Sequence, residues 1–157
     1  MNKPDLEKNI YTAFNQGINL YSKNKYLWME KYIVERTHKT PLLMADPDNG
    51  NIEIRGRSNP ENSAEFYRPL IEWLDAYIEN NFGNAEITID LEHFNTSSSK
   101  CLMDVLKRLQ KLSETSRNVV VNWFYEEDDE EMLEAGETYE SMTNLNFNKI
   151  EKPISEL

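Results

Sequence analysis

The sequence has few of the features that mark secreted, membrane-bound or metal-dependent proteins. It has a single cysteine, Cys101, so no disulfide can form within the chain. No apolar run approaches the length that a helix needs to cross a bilayer. The first residues, "MNKPDLEKNIYTAF", lack the apolar segment of a secretory signal. We therefore expect a soluble cytoplasmic protein.

Metal-binding residues are also scarce, since His38 and His93 are the only histidines. Their positions relative to Cys101 do not match the ligand spacing of a zinc site. The acidic run 126–131, "EEDDEE", has carboxylates of the kind that bind hard cations. Such runs are more commonly solvated faces, and this one also fits a strand end followed by the start of a helix. The sequence predicts no bound metal and no cofactor.

Positive charge is in deficit as well. The 157 residues carry 17 Lys and Arg against 28 Asp and Glu, which gives a net charge of −11. Residues 1–40 contain seven basic and four acidic residues, whereas the remainder contains ten and twenty-four. An acidic body repels nucleic acid and anionic membranes, so neither is expected as a partner. A protein partner with basic patches fits this charge distribution.

The apolar patterns predict a small α/β fold. An Asn-Gly turn within residues 40–58 predicts a hairpin, and alternation over residues 86–92 predicts a strand with one buried face. The full order is hairpin, helix, strand, helix, strand, helix, strand, with Pro69 predicting a kink or a late start of the first helix. Such alternation predicts a mixed, largely parallel sheet with three helices mainly on one face.

We divide the chain into three parts. Residues 1–39 are expected to be an N-terminal extension that is either helical or disordered. Residues 40–152 form the folded domain, and residues 153–157 are a C-terminal tail. Met29 would itself serve as a translation start, so residues 1–28 are expected to be an appendage or the product of an over-long gene start.

The segment "DLEHFNTSSSK", residues 90–100, joins a predicted strand to a predicted helix and carries four consecutive hydroxyl side chains at positions 96–99. Any one of the residues 95–98 can cap the helix by accepting from an N–H group two or three residues further on. Capping needs one such side chain. The surplus hydroxyls therefore need another explanation.

Catalysis is one candidate explanation for these hydroxyls. A nucleophilic hydroxyl needs an oriented base and oxyanion donors, and His93 lies three residues before Thr96. The segment contains no glycine, however, whereas nucleophile elbows and phosphate-binding loops depend on it. Two alternatives stay open: a small hydrolase that uses Thr96 or a serine beside His93, and a passive anion or nucleotide receptor at the same helix end.

Phosphorylation is the explanation that the position favours. The C-terminal ends of parallel strands carry the functional loops of α/β proteins, and a helix N-terminus stabilises an anion. Lys100, four residues after Thr96, would lie within reach on the helix. A phosphate adds roughly −1.5 to −2 charges. One modified hydroxyl could therefore switch a protein interface without refolding the domain.

Three stretches of the sequence resemble the SiaC family of bacterial regulatory phosphoproteins, in the same order over roughly residues 40–150. They are "GRSNPENSAEFYRPLIEWLDAYI", "ITIDLEHFNTSSSKCLMDVLKRL" and "NVVVNWFYEEDDEEMLEAGE". The "NPENS" and "FNTSSSK" motifs are specific in combination. The resemblance implies a fold like that of anti-sigma-factor antagonists and makes residues 40–152 a regulatory domain without catalytic activity.

The resemblance also implies a partner-switching mechanism. A cognate serine/threonine kinase phosphorylates the threonine of the "NTSS" motif, here Thr96, and a metal-dependent serine/threonine phosphatase removes the phosphate. The unphosphorylated form binds and activates an output protein, which in the family's characterised system is a diguanylate cyclase that controls cyclic di-GMP and biofilm formation. The expected motif neighbours of the phosphosite, which are also the expected partner contacts, are Asn95, Ser97, Ser98 and Lys100.

Overall fold

The computed structural model of the protein describes residues 29–80 and 82–154. In this part of the chain, six strands and three helices follow one another. Their bounds are β1 Tyr32–Val34, β2 Leu42–Asp46, β3 Asn51–Ser58, α1 Ser63–Glu79, β4 Ala85–Phe94, α2 Thr96–Ser113, β5 Val119–Glu126, α3 Glu130–Thr143 and β6 Asn146–Lys152.

The strands form one sheet in the order of the sequence, from β1 to β6. β2 pairs antiparallel with both β1 and β3, whereas the three remaining neighbouring pairs are parallel. Because right-handed crossovers join successive parallel strands in one direction across the sheet, the three helices pack on the same face. The predicted class is confirmed: a small mixed, largely parallel sheet with an N-terminal hairpin and three helices mainly on one face.

The alternating pattern that predicted β4 corresponds to the burial of its side chains. Ile87, Ile89 and Leu91 are buried beneath the helices. Thr88 and Asp90, which point to the opposite face, are half-buried. The apolar face of β4 therefore anchors the strand in the core and fixes where its C-terminal end emerges.

The first helix begins at Ser63, well before Pro69. The side-chain oxygen of Asn62 accepts a hydrogen bond from the backbone N–H of Glu65 (3.1 Å), which caps the helix at Ser63. Pro69 then lies inside the helix with its ring exposed. Of the two effects expected of Pro69, a kink or a late start, the late start is excluded, because the cap fixes the helix N-terminus ahead of the proline.

The third helix lies unusually close to the sheet. A Cβ atom on Gly136 would lie 2.6 Å from Cδ1 of Trp123, so only glycine fits there without a shift. The indole N–H of Trp123 donates to the carbonyl oxygen of Met132 (2.8 Å). This contact and the close approach fix α3 against β5.

The sheet begins earlier in the chain than residue 40. β1 pairs with β2, and Ile33 lies opposite Met44, so part of the range expected to be an extension is a strand of the sheet. The expectations for residues 1–28 lie outside the described residues, as do residues 155–157 of the expected tail. Among the helices that the structure describes, none is long and apolar enough to cross a membrane.

Candidate functional site

The hydroxyl-rich segment lies where the sequence predicted it, at the N-terminus of α2 and directly after β4. Asn95 has an extended backbone (φ −81°, ψ 171°) and is the N-cap. Its Oδ1 accepts the backbone N–H of Ser98 at 2.8 Å. Of the candidate caps at positions 95–98, Asn95 is therefore the one that caps the helix. None of the hydroxyls at positions 96–99 is needed for capping.

Ser98 is fully buried and belongs to a chain of hydroxyl groups in the core. The hydroxyl of Ser58 donates to Oγ of Ser98 (2.8 Å), and Ser98 donates in turn to the backbone carbonyl of Ser58 (3.3 Å). The phenol of Tyr67 lies 2.7 Å from Oγ of Ser58 and, since the Ser58 proton is already committed, Tyr67 donates. Burial is the main cause that raises the pKa of Tyr67 far above its usual value. Ser98 is therefore a structural residue.

Ser97 and Ser99 are committed to neighbouring side chains as well. Ser97 donates to Oδ1 of Asn95 (3.0 Å) and lies 2.8 Å from Oγ of the buried Ser63 on α1. Ser99 is half-buried, and its Oγ lies 3.0 Å from the phenolic oxygen of Tyr139 on α3. That phenol donates to the backbone carbonyl of Ser99 (3.0 Å). Both serines therefore tie α2 to an adjacent helix.

Thr96 differs from its three neighbours. It is exposed, and its hydroxyl forms no hydrogen bond within the part of the chain that the structure describes. Thr96 is the first residue of α2. Its side chain lies beside its own backbone N–H group and that of Ser97, and neither group has an acceptor inside the helix. Lys100, also exposed, follows one turn later. The site thus offers one free hydroxyl next to unpaired donors and a cation.

The loop before α1 holds this helix end from the other side. The amide of Asn95 donates to Oδ1 of Asn59 (3.0 Å), and Ser63 contacts Ser97 as described. Ser63 also lies 3.1 Å from Oγ of Ser98. In the sequence the "NPENS" motif supported only the family resemblance, so these contacts were not predicted. The motif itself, polar residues around Pro60 at the end of a strand, was the available signal.

Within the described residues, neither His93 nor Cys101 is hydrogen-bonded to the four hydroxyls. His93 is exposed, and among the described residues it makes no hydrogen bond to any of the four. Cys101 is buried, and burial, with a smaller contribution from Asp104, raises the pKa of its thiol. Within residues 29–80 and 82–154, no group of three or more His, Cys, Asp or Glu side chains is placed to hold a metal ion.

The fold and the site place the chain in the class of small α/β domains that present an exposed hydroxyl at a helix N-terminus. The chain belongs to the SiaC family of regulatory phosphoproteins, whose family model matches residues 34–152. The family predicted from the three sequence stretches is thereby confirmed.

Similar proteins come from Pseudomonas aeruginosa. An uncharacterised protein of strain UCBPP-PA14 is 30% identical over 111 residues, which are 71% of this chain and 88% of that protein. The crystal structure of apo-SiaC is 28% identical with a TM-score of 0.71, and the match covers 77% of this chain and 98% of the other. A second crystal structure contains the diguanylate cyclase SiaD in complex with its activator SiaC. The matched chain of that structure is 27% identical with a TM-score of 0.73, and the match covers 77% of this chain and 99% of the other.

Proposed function

We propose that this chain is a non-catalytic regulator that is reversibly phosphorylated on Thr96. Its unphosphorylated form binds and regulates an output protein such as a diguanylate cyclase, by analogy with SiaC in its complex with SiaD. A cognate serine/threonine kinase adds the phosphate, and a metal-dependent serine/threonine phosphatase removes it. The regulator acts through what its surface binds, and supplies no reacting group other than the hydroxyl that is modified.

The state of the four hydroxyls is the observation that supports this proposal. Ser98 is buried, and Ser97 and Ser99 are hydrogen-bonded to side chains of other helices. A kinase acting on any of these would first have to break contacts that hold α2 in place. Thr96 is exposed and forms no hydrogen bond within the described residues, so it can enter a kinase active site without a change in the fold.

The surroundings of Thr96 also support a stable phosphorylated form. A phosphate on Oγ1 would lie near the unpaired N–H groups of the first turn, where the helix dipole favours negative charge. Lys100 follows on the same side of α2 and is in no ion pair within the described residues. Phosphorylation would thus change the charge of this surface by roughly −1.5 to −2 while the helix stays formed.

The assignment of Thr96 is tested by incubating the unphosphorylated protein with the purified cognate kinase and ATP, and weighing the product by intact mass spectrometry. We expect one added phosphate on the wild-type chain and none on Thr96→Ala. Ser97→Ala is the matched control, since it removes the neighbouring exposed hydroxyl and should leave phosphorylation in place. Full phosphorylation of Thr96→Ala would show that the site lies elsewhere.

The switch itself is tested by binding to the diguanylate cyclase of the source organism. The unphosphorylated wild type and Thr96→Ala should both bind the purified cyclase, whereas the enzymatically phosphorylated wild type should not. Kinase-treated Thr96→Ala is the control for the treatment and should bind as before. Equal binding by the phosphorylated and unphosphorylated wild type would refute the switch, whatever the phosphosite.

A further inference from the structure

The two edges of the sheet differ in length. β1, at one edge, has three residues, and so short a strand offers few backbone groups to a partner. β6, at the other edge, has seven residues, and β5 is its one neighbour among the strands that the structure describes. A long edge strand with one side unpaired is a template for pairing with another chain. β6 is therefore the edge that is open to a partner.

The outer side of β6 carries backbone groups without partners. The carbonyl oxygen of Lys152 accepts from the N–H group of Glu127 (3.0 Å), so the backbone groups of Lys152 point towards β5. Successive residues of a strand direct their N–H and C=O groups to opposite sides. Those of Phe147, Lys149 and Glu151 therefore point away from the sheet, and within the described residues no strand or loop pairs with them.

The side chains of the same three residues lie on the face of the sheet that the helices cover. Phe147 is buried in the core, whereas Lys149 and Glu151 are exposed. The ammonium group of Lys149 contacts the carboxylate of Glu140 on α3, which holds the lysine beside the edge. An ammonium group has three donors, so it can bind a second carboxylate. The edge thus presents one cation and one anion two residues apart.

On the opposite, open face of the sheet, an apolar row reaches the same edge. Ile150 lies opposite Phe124 of β5, and both side chains are half-buried. Ile150 is the last member of this row. An apolar side chain on a further strand would lie next to Ile150 and extend the row across the edge.

We propose that β6 pairs antiparallel with β6 of a second copy of this chain, with Ile150 at the two-fold axis. In this register Lys149 of each copy lies opposite Glu151 of the other, so both charged cross-strand pairs are attractive. The backbones of these two residues exchange their N–H···O=C bonds, and the two Ile150 side chains meet on the open face. The two sheets thereby become one continuous sheet.

The charges of β6 select this register. An axis at Lys149 would place two lysines opposite each other, and an axis at Glu151 would place two glutamates opposite each other. With the axis at Ile150, Phe147 lies opposite Pro153, which has no N–H group, and the ladder ends there. Charges on an edge strand commonly discourage pairing, but these complement themselves, as a two-fold contact requires.

The dimer would carry two copies of the candidate phosphorylation site. Thr96 directly follows β4, which is separated from the edge by β5 and β6. Pairing at β6 therefore leaves Thr96 and the surface of α2 free in each copy. Dimerisation does not depend on phosphorylation, so a chain that proves to be monomeric would leave the proposed function unchanged.

The association is tested by analytical ultracentrifugation of the unphosphorylated full chain at increasing concentrations, where we expect the wild type to form a dimer. Lys149→Glu and Glu151→Lys should each raise the dissociation constant of the dimer roughly tenfold or more, because both cross-strand pairs become repulsive. Glu35→Lys is the matched control. It makes the same charge change as Glu151→Lys at an exposed position next to β1, and should leave the constant unchanged.

An equimolar mixture of Lys149→Glu and Glu151→Lys tests the register itself. In the mixed dimer each lysine again lies opposite a glutamate, so the mixture should dimerise although each variant alone does so poorly. A mixture that associates no better than its components would overturn the register. A wild type that stays monomeric at millimolar concentration would overturn the dimer.

Amide hydrogen exchange of the wild type, resolved by residue, tests the contact without a substitution. The N–H groups of Lys149 and Glu151 should exchange more slowly as the concentration rises. Those of Asn148 and Ile150 point towards β5 and should be unaffected, which makes them the internal control. A dimer in which the exchange of Lys149 and Glu151 does not slow would be formed by another surface, and pairing at β6 would be refuted.

Discussion

The substitution Asn95→Ala addresses the residue that holds the helix end together. Asn95 caps α2 through the N–H of Ser98 (2.8 Å), accepts from the hydroxyl of Ser97 (3.0 Å) and donates to the side chain of Asn59 (3.0 Å). Alanine removes these three contacts at once, together with a longer one from the hydroxyl of Ser63 (3.4 Å). Asn62→Ala is the matched control, because Asn62 caps α1 in the same way and its further contact is with Glu65 of its own helix.

The expected loss of stability follows from these contacts. Loss of an N-cap costs about 0.5–2 kcal/mol, typically about 1. The two further hydrogen bonds of Asn95 contribute about 0.5–1.5 kcal/mol each, and the lower end applies because Asn59 and Ser97 are exposed and water can replace the lost partner. Asn95→Ala should therefore cost about 2 kcal/mol and Asn62→Ala about 1. Asn95→Asp keeps the cap oxygen, loses the donor to Asn59 and should fall between Asn95→Ala and the wild type.

Urea denaturation of the unphosphorylated full chain, followed by tryptophan fluorescence, measures these differences. The slope of the free energy of unfolding against urea should be the same for all variants, so that midpoints can be compared directly. If Asn95→Ala were no more destabilised than Asn62→Ala, the contacts between the two helix N-termini would contribute nothing. The account of Asn59 and Ser97 as supports of the site would then be refuted.

Three further predictions concern Gly136 and Cys101. Gly136→Ala should lower the urea midpoint by an equivalent of about 1–3 kcal/mol, because its Cβ would lie 2.6 Å from Trp123; an unchanged midpoint would contradict the close packing of α3. The raised pKa of Cys101 should make alkylation by iodoacetamide at pH 8 much slower in the folded chain than in urea. The raised pKa contributes stability that is present below the usual thiol pKa of about 8.5 and is lost as the pH rises through the pKa of the folded state. Cys101→Ala should therefore reduce the fall of the urea midpoint above that pH.

The sequence alone predicted the elements whose residue pattern is local. The Asn-Gly turn predicted the β2–β3 hairpin, and strict alternation predicted β4 with its buried face. β1 was missed because a strand of three residues at the sheet edge has no period to detect. For Pro69 the sequence left a kink and a late start open, and the late start is excluded because the cap at Asn62 lets the helix begin at Ser63 and continue through the exposed proline.

The site was predictable only in its location. That a hydroxyl-rich helix N-terminus follows β4 could be derived from pattern, and the choice of Thr96 came from the resemblance to a family. The division of roles among the hydroxyls depends on contacts between residues far apart in sequence, such as Ser63 with Ser97 and Tyr139 with Ser99. A single sequence contains no measure of which distant side chains meet, so those contacts could not be derived from it.

The three committed serines explain why so many hydroxyls occur in one helix turn. Serine and threonine are poor helix formers, so four together should weaken the start of α2. Instead, Ser97, Ser98 and Ser99 each bond to a different neighbour, in α1, β3 and α3 respectively, and their contacts hold the turn rigid. We expect a turn held by these contacts to stay folded when a phosphate is added. The charge of the proposed phosphate on Thr96 would therefore act directly on whatever lies against the surface of α2, as the proposed switch requires.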